Sequence, residues 1–367
     1  MKITVLQENL KSALTNLQKA IPSKPQLPIL SSIYLKAENN RLTLSATDLF
    51  LGIKSTIPAK IDVEGSCVIP GDIFKNLIFS FSVGDISLEQ KEKNIIVKYE
   101  KSKSSLPFQS GDDYPQFPEV KGDEFSLEKT LLEKIDKYVT FAAAQDQTRP
   151  ILTSLLFSFK EDGMELAATD GYRLATFTHK SEIININRDL LIPVKALSEV
   201  FRMMNQTESE TIAFKVSEEL KQVLFVVDGV EIYVRLIEGE YPPYKKIIPD
   251  DFKYAINLDL GELTTQVKRA FLFAKQSSNI VRLSLSENKL TVKATSPSTG
   301  EYIGEIEIKY SGEEQEIAFN ASYLLDFLNT QKEGDVVFKI NESLKPVAFY
   351  LPNEKDLLYV VMPFRTN

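Results

Sequence analysis

Cysteine is almost absent. The chain of 367 residues holds one, Cys67, so no internal disulfide can form and no cluster of thiolates can hold a metal. That usage fits a reducing compartment, and a cytoplasmic protein is the expectation. Histidine is equally scarce. His179 is the only one, in a polar stretch where such a residue is usually inert. No Ser/His/Asp arrangement can be assembled with a purpose. No G-x-x-x-x-G-K-[ST] loop exists, so a P-loop for ATP is excluded. The longest apolar runs are strand-sized, which predicts no membrane span. The start, Met1-Lys2-Ile3-Thr4-Val5, turns amphipathic at once, which predicts no signal peptide. Low-complexity segments are missing too. No cofactor and no metal are expected.

What is present is an ordinary globular composition, 43% hydrophobic and 26% charged, with a net charge of −8. The length suggests two or three domains, each able to bury a core. The acidic balance argues at first against nucleic acid. Net charge, however, speaks to solubility and says nothing of how charge is distributed.

The chain repeats itself. Leu27-Pro28-Ile29-Leu30-Ser31-Ser32 is followed by an alternating strand and then Leu42-Thr43-Leu44-Ser45-Ala46-Thr47-Asp48. Arg149-Pro150-Ile151-Leu152-Thr153-Ser154 leads in the same way to Met164-Glu165-Leu166-Ala167-Ala168-Thr169-Asp170. A looser third copy runs Ile280-Val281-Arg282-Leu283-Ser284-Leu285 and then Leu290-Thr291-Val292-Lys293-Ala294-Thr295-Ser296. The unit is roughly 120 residues, the size of one small domain.

Each copy begins with a strand and an amphipathic helix, over 8–20, 127–143 and 261–275. In the first, Leu10, Ala13, Leu14 and Leu17 fall at i, i+3, i+4 and i+7 and form one apolar face. A second helix follows over 72–80, 194–204 and 321–332. Alternating strands close each copy, as around Asp228-Gly229, a strong hairpin signal. The fold class is therefore α+β, three tandem domains with two helices each on antiparallel sheets. Polar, turn-rich seams near 120–124 and 249–251 divide the chain into 1–122, 123–250 and 251–367.

Charge is unevenly placed. The six predicted helices carry twelve Lys or Arg and eight acids, a net +4, which leaves −12 on the rest. That is the footprint of a weakly basic, helix-lined surface, although amphipathic helices often have solvated lysine-rich faces for no special reason. A weakly basic lining suits a sliding contact with phosphates. No cluster of base-reading residues is present, so no sequence specificity is expected.

Ala168-Thr169-Asp170-Gly171-Tyr172-Arg173-Leu174-Ala175, together with Tyr359-Val360-Val361-Met362-Pro363-Phe364-Arg365, resembles the bacterial DNA polymerase III beta subunits, the DNA sliding clamps. Further matches are Leu27-Pro28-Ile29-Leu30, Gly239-Glu240-Tyr241-Pro242-Pro243-Tyr244 and Tyr310-Ser311-Gly312, so the resemblance spans the chain. It implies a head-to-tail homodimer, a ring of six such domains around duplex DNA, with no catalytic site. Polymerase, clamp loader and repair proteins would dock through short motifs of glutamine and hydrophobic residues.

By resemblance the peptide-docking residues are Leu152, Thr169, Gly171, Tyr172, Arg173, Leu174, Pro242, Lys246, Ile247, Pro346, Val360, Val361, Met362, Pro363, Phe364 and Arg365. The chemistry is sensible on its own: Leu174, Ile247, Val360 and Met362 supply apolar area, and Thr169, Arg173 and Arg365 supply polar groups. DNA contacts are implied at Lys24, Arg149 and Lys195, and more weakly at Lys75, Lys11 and Arg282. For the ring interface the resemblance points to Leu106 and Phe108 facing Leu272 and Phe273, with Glu301 and Glu305 available to Lys101 or Lys103.

The chain departs from the family pattern at Tyr172, where several relatives have histidine, at Lys246 for arginine and at Phe364 for a second methionine. Thr366 and Asn367 run past the usual ending. These changes bear on partner preference. Two other readings compete. One is an interaction scaffold that never touches DNA. The other is a nuclease holding Mg²⁺ between Asp48 and Asp170, against which stands the simpler role of each aspartate as a turn cap.

Overall fold

The structure is a computed structural model that describes residues 1–121, 124–180, 188–217, 219–276 and 278–365. The expected seam at 122–123 and the terminal Thr366 and Asn367 lie outside the described residues.

Six α-helices stand among the described residues: α1 (Gln7–Leu17), α2 (Gly71–Ser80), α3 (Lys129–Tyr138), α4 (Val194–Met204), α5 (Leu260–Ala274) and α6 (Ala321–Leu328). Their order follows the repeat, but several ends fall short. Glu124–Glu128 is a strand, so α3 starts later than the periodicity predicts, and Thr140–Ala142 continues it only as a 3₁₀ turn. α6 stops at Leu328, where Asn329 closes the helix with its N–H on Leu325 O and Phe327 O. Asparagine competes with the backbone and favours such ends.

The shorter helices lose Lys19, Lys275, Lys332 and Glu128, so nine cations face seven acids and the excess halves to two. Three of those cations are already paired: Lys75 with Asp72, Lys134 with Glu354 and Arg202 with Glu199. The helices carry less free positive charge than the sequence suggests.

The chain divides into two compact units. The first comprises Met1–Thr130 and Lys195–Leu236, the second Leu131–Val194 and Ile237–Asn367. All strand pairs in both are antiparallel.

The first unit holds two sheets. A five-stranded sheet runs Lys60–Val63, Lys2–Leu6, Asp85–Lys91, Asn94–Tyr99, Ser102–Pro107. An eight-stranded sheet runs Glu124–Glu128, Thr211–Ser217, Gln222–Val227, Val230–Arg235, Leu51–Pro58, Arg41–Thr47, Ser32–Glu38, Gly65–Pro70. The hairpin at Asp228-Gly229 forms as its residues require, both with positive φ (52° and 78°). α1 lays its apolar stripe, Leu10, Ala13, Leu14 and Leu17, on strands Arg41–Thr47 and Leu51–Pro58, where all four are buried. Cys67 is enclosed in this core, and burial pushes its thiol up to about 12.

The second unit repeats the plan. Its eight-stranded sheet runs Arg188–Pro193, Ser154–Lys160, Gly163–Thr169, Arg173–Lys180, Glu354–Val361, Val347–Leu351, Asp335–Ile340, Tyr254–Asp259. A four-stranded sheet runs Gly300–Glu307, Lys289–Ser296, Ile280–Ser286, Gln315–Asn320. α5 packs on α6, and Phe327 of α6 stacks on Tyr359 with ring centroids 4.7 Å apart.

Each eight-stranded sheet is made the same way. The strand after a Thr-Asp turn pairs with the last strand of the next repeat: Leu51–Pro58 with Val230–Arg235, and Arg173–Lys180 with Glu354–Val361. No helix among the described residues is long and apolar enough to cross a membrane.

Candidate functional site

The second unit carries the residues that the sequence singles out. Strands Gly163–Thr169 and Arg173–Lys180 pair with Thr169 opposite Leu174, and Asp170-Gly171-Tyr172 bridges them. The turn is built from its own side chains. Thr169 Oγ1 donates to Arg173 O (2.6 Å) and accepts from Gly171 N (3.0 Å). Asp170 Oδ1 accepts from Tyr172 N (2.9 Å) and Arg173 N (3.1 Å). Gly171 has φ +92°, and a Cβ there would meet Arg149 Nη1 at 2.9 Å. Arg149 Nη2 closes the turn on Asp170 O at 2.8 Å. Tyr172 is left at the tip, 60% exposed.

Arg173 points to the opposite face of the sheet from Leu174. Its Nε meets Asp170 Oδ2 (3.1 Å), its Nη1 meets Asp326 Oδ2 of α6 (2.5 Å) and its Nη2 donates to Phe141 O (2.7 Å). The guanidinium also lies 4.5 Å over the Tyr323 ring. Burial opposes its charge, yet Tyr359, Asp326 and Asp170 outweigh burial and its pKa is raised. Arg173 and Thr169, both expected to face a peptide, also hold the turn.

Leu174 and its neighbours form an apolar floor. Leu156, Ala167, Leu174, Leu191, Ala348 and Val360 make one buried cluster on one face of the sheet. Leu174 pairs with Val360, and Val360 with Ala348. Tyr241, Tyr244 and Ile248, on the segment that follows Leu236, pack over it. Tyr244 OH reaches Glu165 Oε2 (3.3 Å), and Lys245 Nζ pairs with the same oxygen (2.5 Å). Burial raises both phenols, Glu165 adding to the effect at Tyr244, so both stay neutral. Beside them opens a cavity of about 300 Å³ lined by Glu165, Thr176, Thr178, Tyr244, Lys245 and Ile248.

The C-terminal segment forms the lip. Val361 pairs with Arg173 and Met362 N donates to Tyr172 O at 2.8 Å. Met362 is 38% exposed, and Ile247 at the end of the 3₁₀ turn Tyr244–Ile247 is 42% exposed. Pro363 leads on to Phe364, whose N–H bonds Ala318 O (2.7 Å) and carries the chain onto the four-stranded sheet. Phe364 and Arg365 are exposed there.

The remaining candidates scatter around this core. Leu152 is buried in the 3₁₀ turn Pro150–Thr153 and accepts from Ala144 N. Pro242 and Lys246 are exposed on the 237–248 segment, and Pro346 immediately precedes Val347–Leu351. Leu156, Ala167, Leu191, Ala348, Tyr244 and Asp326 escaped the sequence reading. Strand alternation marks the first four, because they share the period-2 face of Leu174 or Val360. No local pattern marks Asp326.

Lys24, Lys11 and Lys195, all in the first unit, are exposed. Lys75 is paired with Asp72 and Arg282 with Glu316 (3.2 Å), and Arg149 serves the turn. Leu106 is buried in Ser102–Pro107, an edge strand of its sheet, with Phe108 just beyond. Leu272 is 69% exposed on α5, and Phe273 stacks on Tyr302 of Gly300–Glu307, also an edge strand. Glu301 and Glu305 pair within that sheet with Lys293 and Lys289.

Nothing here is arranged for bond making. Asp170 is consumed by its turn, and Asp48 accepts from Phe50 N and Leu51 N in the same manner. The site offers an apolar floor, a lip of large, exposed side chains and few free polar atoms, which is the chemistry of a peptide groove.

Sequence models of the three domains of the DNA polymerase III beta subunit match the chain in order: the N-terminal domain over 1–118, the central domain over 126–243 and the C-terminal domain over 245–365. The beta sliding clamp of Staphylococcus aureus is 28% identical over 378 residues, with both chains fully covered. Among solved structures, the DNA polymerase sliding clamp of Bacillus subtilis superposes with a TM-score of 0.94 at 26% identity over the full length of both chains. That of Caulobacter crescentus gives 0.92 at 28%, again over both full lengths.

Proposed function

We propose, on the premise that this chain belongs to the DNA polymerase III beta subunit family, the bacterial sliding clamps, that it encircles duplex DNA as a head-to-tail dimeric ring and tethers replication and repair proteins to it. The observation that carries this reading is the match of three consecutive domains of one family along the whole chain. The protein is a processivity subunit of DNA polymerase III and not an enzyme. The domains run 1–122, 123–250 and 251–367, and the work is done in the cytoplasm.

Topology, not affinity, retains such a ring on DNA. Exposed lysines such as Lys24, Lys11 and Lys195 give weak, salt-dependent phosphate contacts, and few of them are needed. With no base-reading cluster the ring slides without sequence preference. The two edge strands, Ser102–Pro107 and Gly300–Glu307, pair between protomers, with Leu106 and Phe108 against Leu272 and Phe273, and so hide edges that would otherwise aggregate.

Partner proteins dock in the second unit. The Leu174–Val360 floor takes hydrophobic side chains of a short motif, and Tyr172, Ile247 and Met362 close around them. Arg173 acts from behind the sheet by holding the turn. The test of encirclement is retention on closed circular DNA in moderate salt after loading. The protein should stay on the circle and leave once it is linearised; equal retention on both would overturn the reading.

A further inference from the structure

The first unit repeats the strand framework of the second unit's groove, and the chain's own linker lies against it. The strand registers establish the correspondence. In the second unit Arg173 pairs with Val361, Leu174 with Val360, and Met362 N donates to Tyr172 O. In the first unit Leu51 pairs with Val234, Gly52 with Tyr233, and Arg235 N donates to Phe50 O at 2.9 Å. Gly52 therefore stands for Leu174, Tyr233 for Val360 and Arg235 for Met362.

The linkers correspond as well. Tyr114-Pro115-Gln116-Phe117-Pro118 matches Tyr241-Pro242-Pro243-Tyr244-Lys245, and Tyr114 and Tyr241 are both tucked inward. Their fourth residues behave differently. Tyr244 packs on the Leu174–Val360 cluster with its hydroxyl on Glu165, beside Thr176 and Thr178 and farther along the strand from the turn than Leu174. Phe117 lies against Gly52 itself, so close that a Cβ there would fall 2.1 Å from Phe117 Cε1. Its ring stacks on Tyr233, with centroids 4.6 Å apart and planes 14° from parallel. A groove of about 570 Å³ continues past the ring, walled by Val120, Leu224 and Val226 and rimmed by the Lys54–Glu231 ion pair.

We propose that Phe117 and Arg235 confine peptide docking to the second unit: Phe117 occupies the first unit's counterpart of the peptide floor, and Arg235 replaces the apolar lip of Met362 with a charge. This rests on the reading of the second unit's groove as the docking site. Removing the Phe117 ring leaves a void against Tyr233. An aromatic side chain of a peptide can fill that void and recover the lost contact, so binding and stability are linked. Methionine at 235 supplies the soft apolar edge that the first unit lacks.

The test is calorimetric titration of a synthetic peptide, glutamine followed by leucine and phenylalanine, into the full-length dimer. Met362→Ala weakens the second unit's groove about tenfold and provides the background. Adding Phe117→Ala and Arg235→Met to it should add a second bound peptide per chain, with an affinity within about a hundredfold of the wild-type site. Arg235→Met alone in that background should add no second peptide, because Phe117 still lies on Gly52. Dimer mass and a cooperative melt establish that each variant is folded, and Phe117→Val replaces alanine if alanine does not fold. A folded position-117 variant that still binds one peptide per chain overturns the proposal, and so does a second peptide bound by Arg235→Met alone. Failure of wild type to bind, or of Met362→Ala to weaken it, strikes the docking site instead.

Discussion

The turn Thr47-Asp48-Leu49-Phe50-Leu51 and the turn Thr169-Asp170-Gly171-Tyr172-Arg173 share four side-chain hydrogen bonds and differ in what they hold. In both, the threonine hydroxyl donates to the carbonyl four residues on and accepts the N–H two residues on. In both, the aspartate accepts the N–H groups two and three residues on. Both present a large ring at the tip, Phe50 or Tyr172. The third residue has positive φ in each, 76° at Leu49 and 92° at Gly171. The fifth is buried in each, but it is Leu51 in one and Arg173 in the other. The two turns thus share their geometry and differ in their substituents: an arginine tether and a methionine lip stand in the second unit only.

Substitutions that make one turn like the other probe this contrast. The largest effect should come from Arg173→Leu, which copies Leu51. It strips the cation from Asp170, Asp326 and the Phe141 carbonyl. Breaking such a buried network costs about 3 kcal/mol, somewhat less here because Asp326 is half exposed. Denaturant unfolding reads the loss, and peptide affinity should fall with it. Next is Met362→Ala. Peptide titration should show about a tenfold loss while the unfolding midpoint barely moves, as befits a partly exposed anchor. A fall in stability matching the fall in affinity would make Met362 a core residue and not a lip.

Gly171→Ala should cost about 1 kcal/mol, since a side chain at φ +92° is strained and Arg149 must move aside. The smallest effect runs the other way. Leu49→Gly in the first unit should gain about 0.5 kcal/mol by relieving a leucine held at φ 76°. Thermal unfolding distinguishes the signs. If Leu49→Gly destabilises, contacts of the leucine outweigh its strain and the two turns are less alike than their hydrogen bonds indicate.

Much of this was legible before the structure. Period-3.6 stripes give six helices in order, and Asp228-Gly229 forms its hairpin. The repeated Thr-Asp pairs form turns with the same four side-chain hydrogen bonds. Short-range chemistry dictates each of these. Thr169–Leu174 and Val360–Met362 were singled out by family resemblance, and register then put Leu174 beside Val360. What escaped depends on distant partners. Asp326 reaches Arg173 across 153 residues, and no periodicity encodes that. Phe117 reads as an ordinary linker aromatic until Gly52 is seen beneath it. The helix charge tally overshot because helix ends, where lysines gather, are the least determined part of a periodic pattern.

Photo-crosslinking tests most directly the claim that one of two like turns is the docking site. Benzoylphenylalanine is placed at position 50 in one variant and at position 172 in another, in place of Phe50 and Tyr172. Each dimer is irradiated with the glutamine-leucine-phenylalanine peptide and analysed by mass spectrometry. The account predicts peptide captured at position 172 and none above background at position 50. Equal capture at both positions, or capture at position 50 alone, would contradict it.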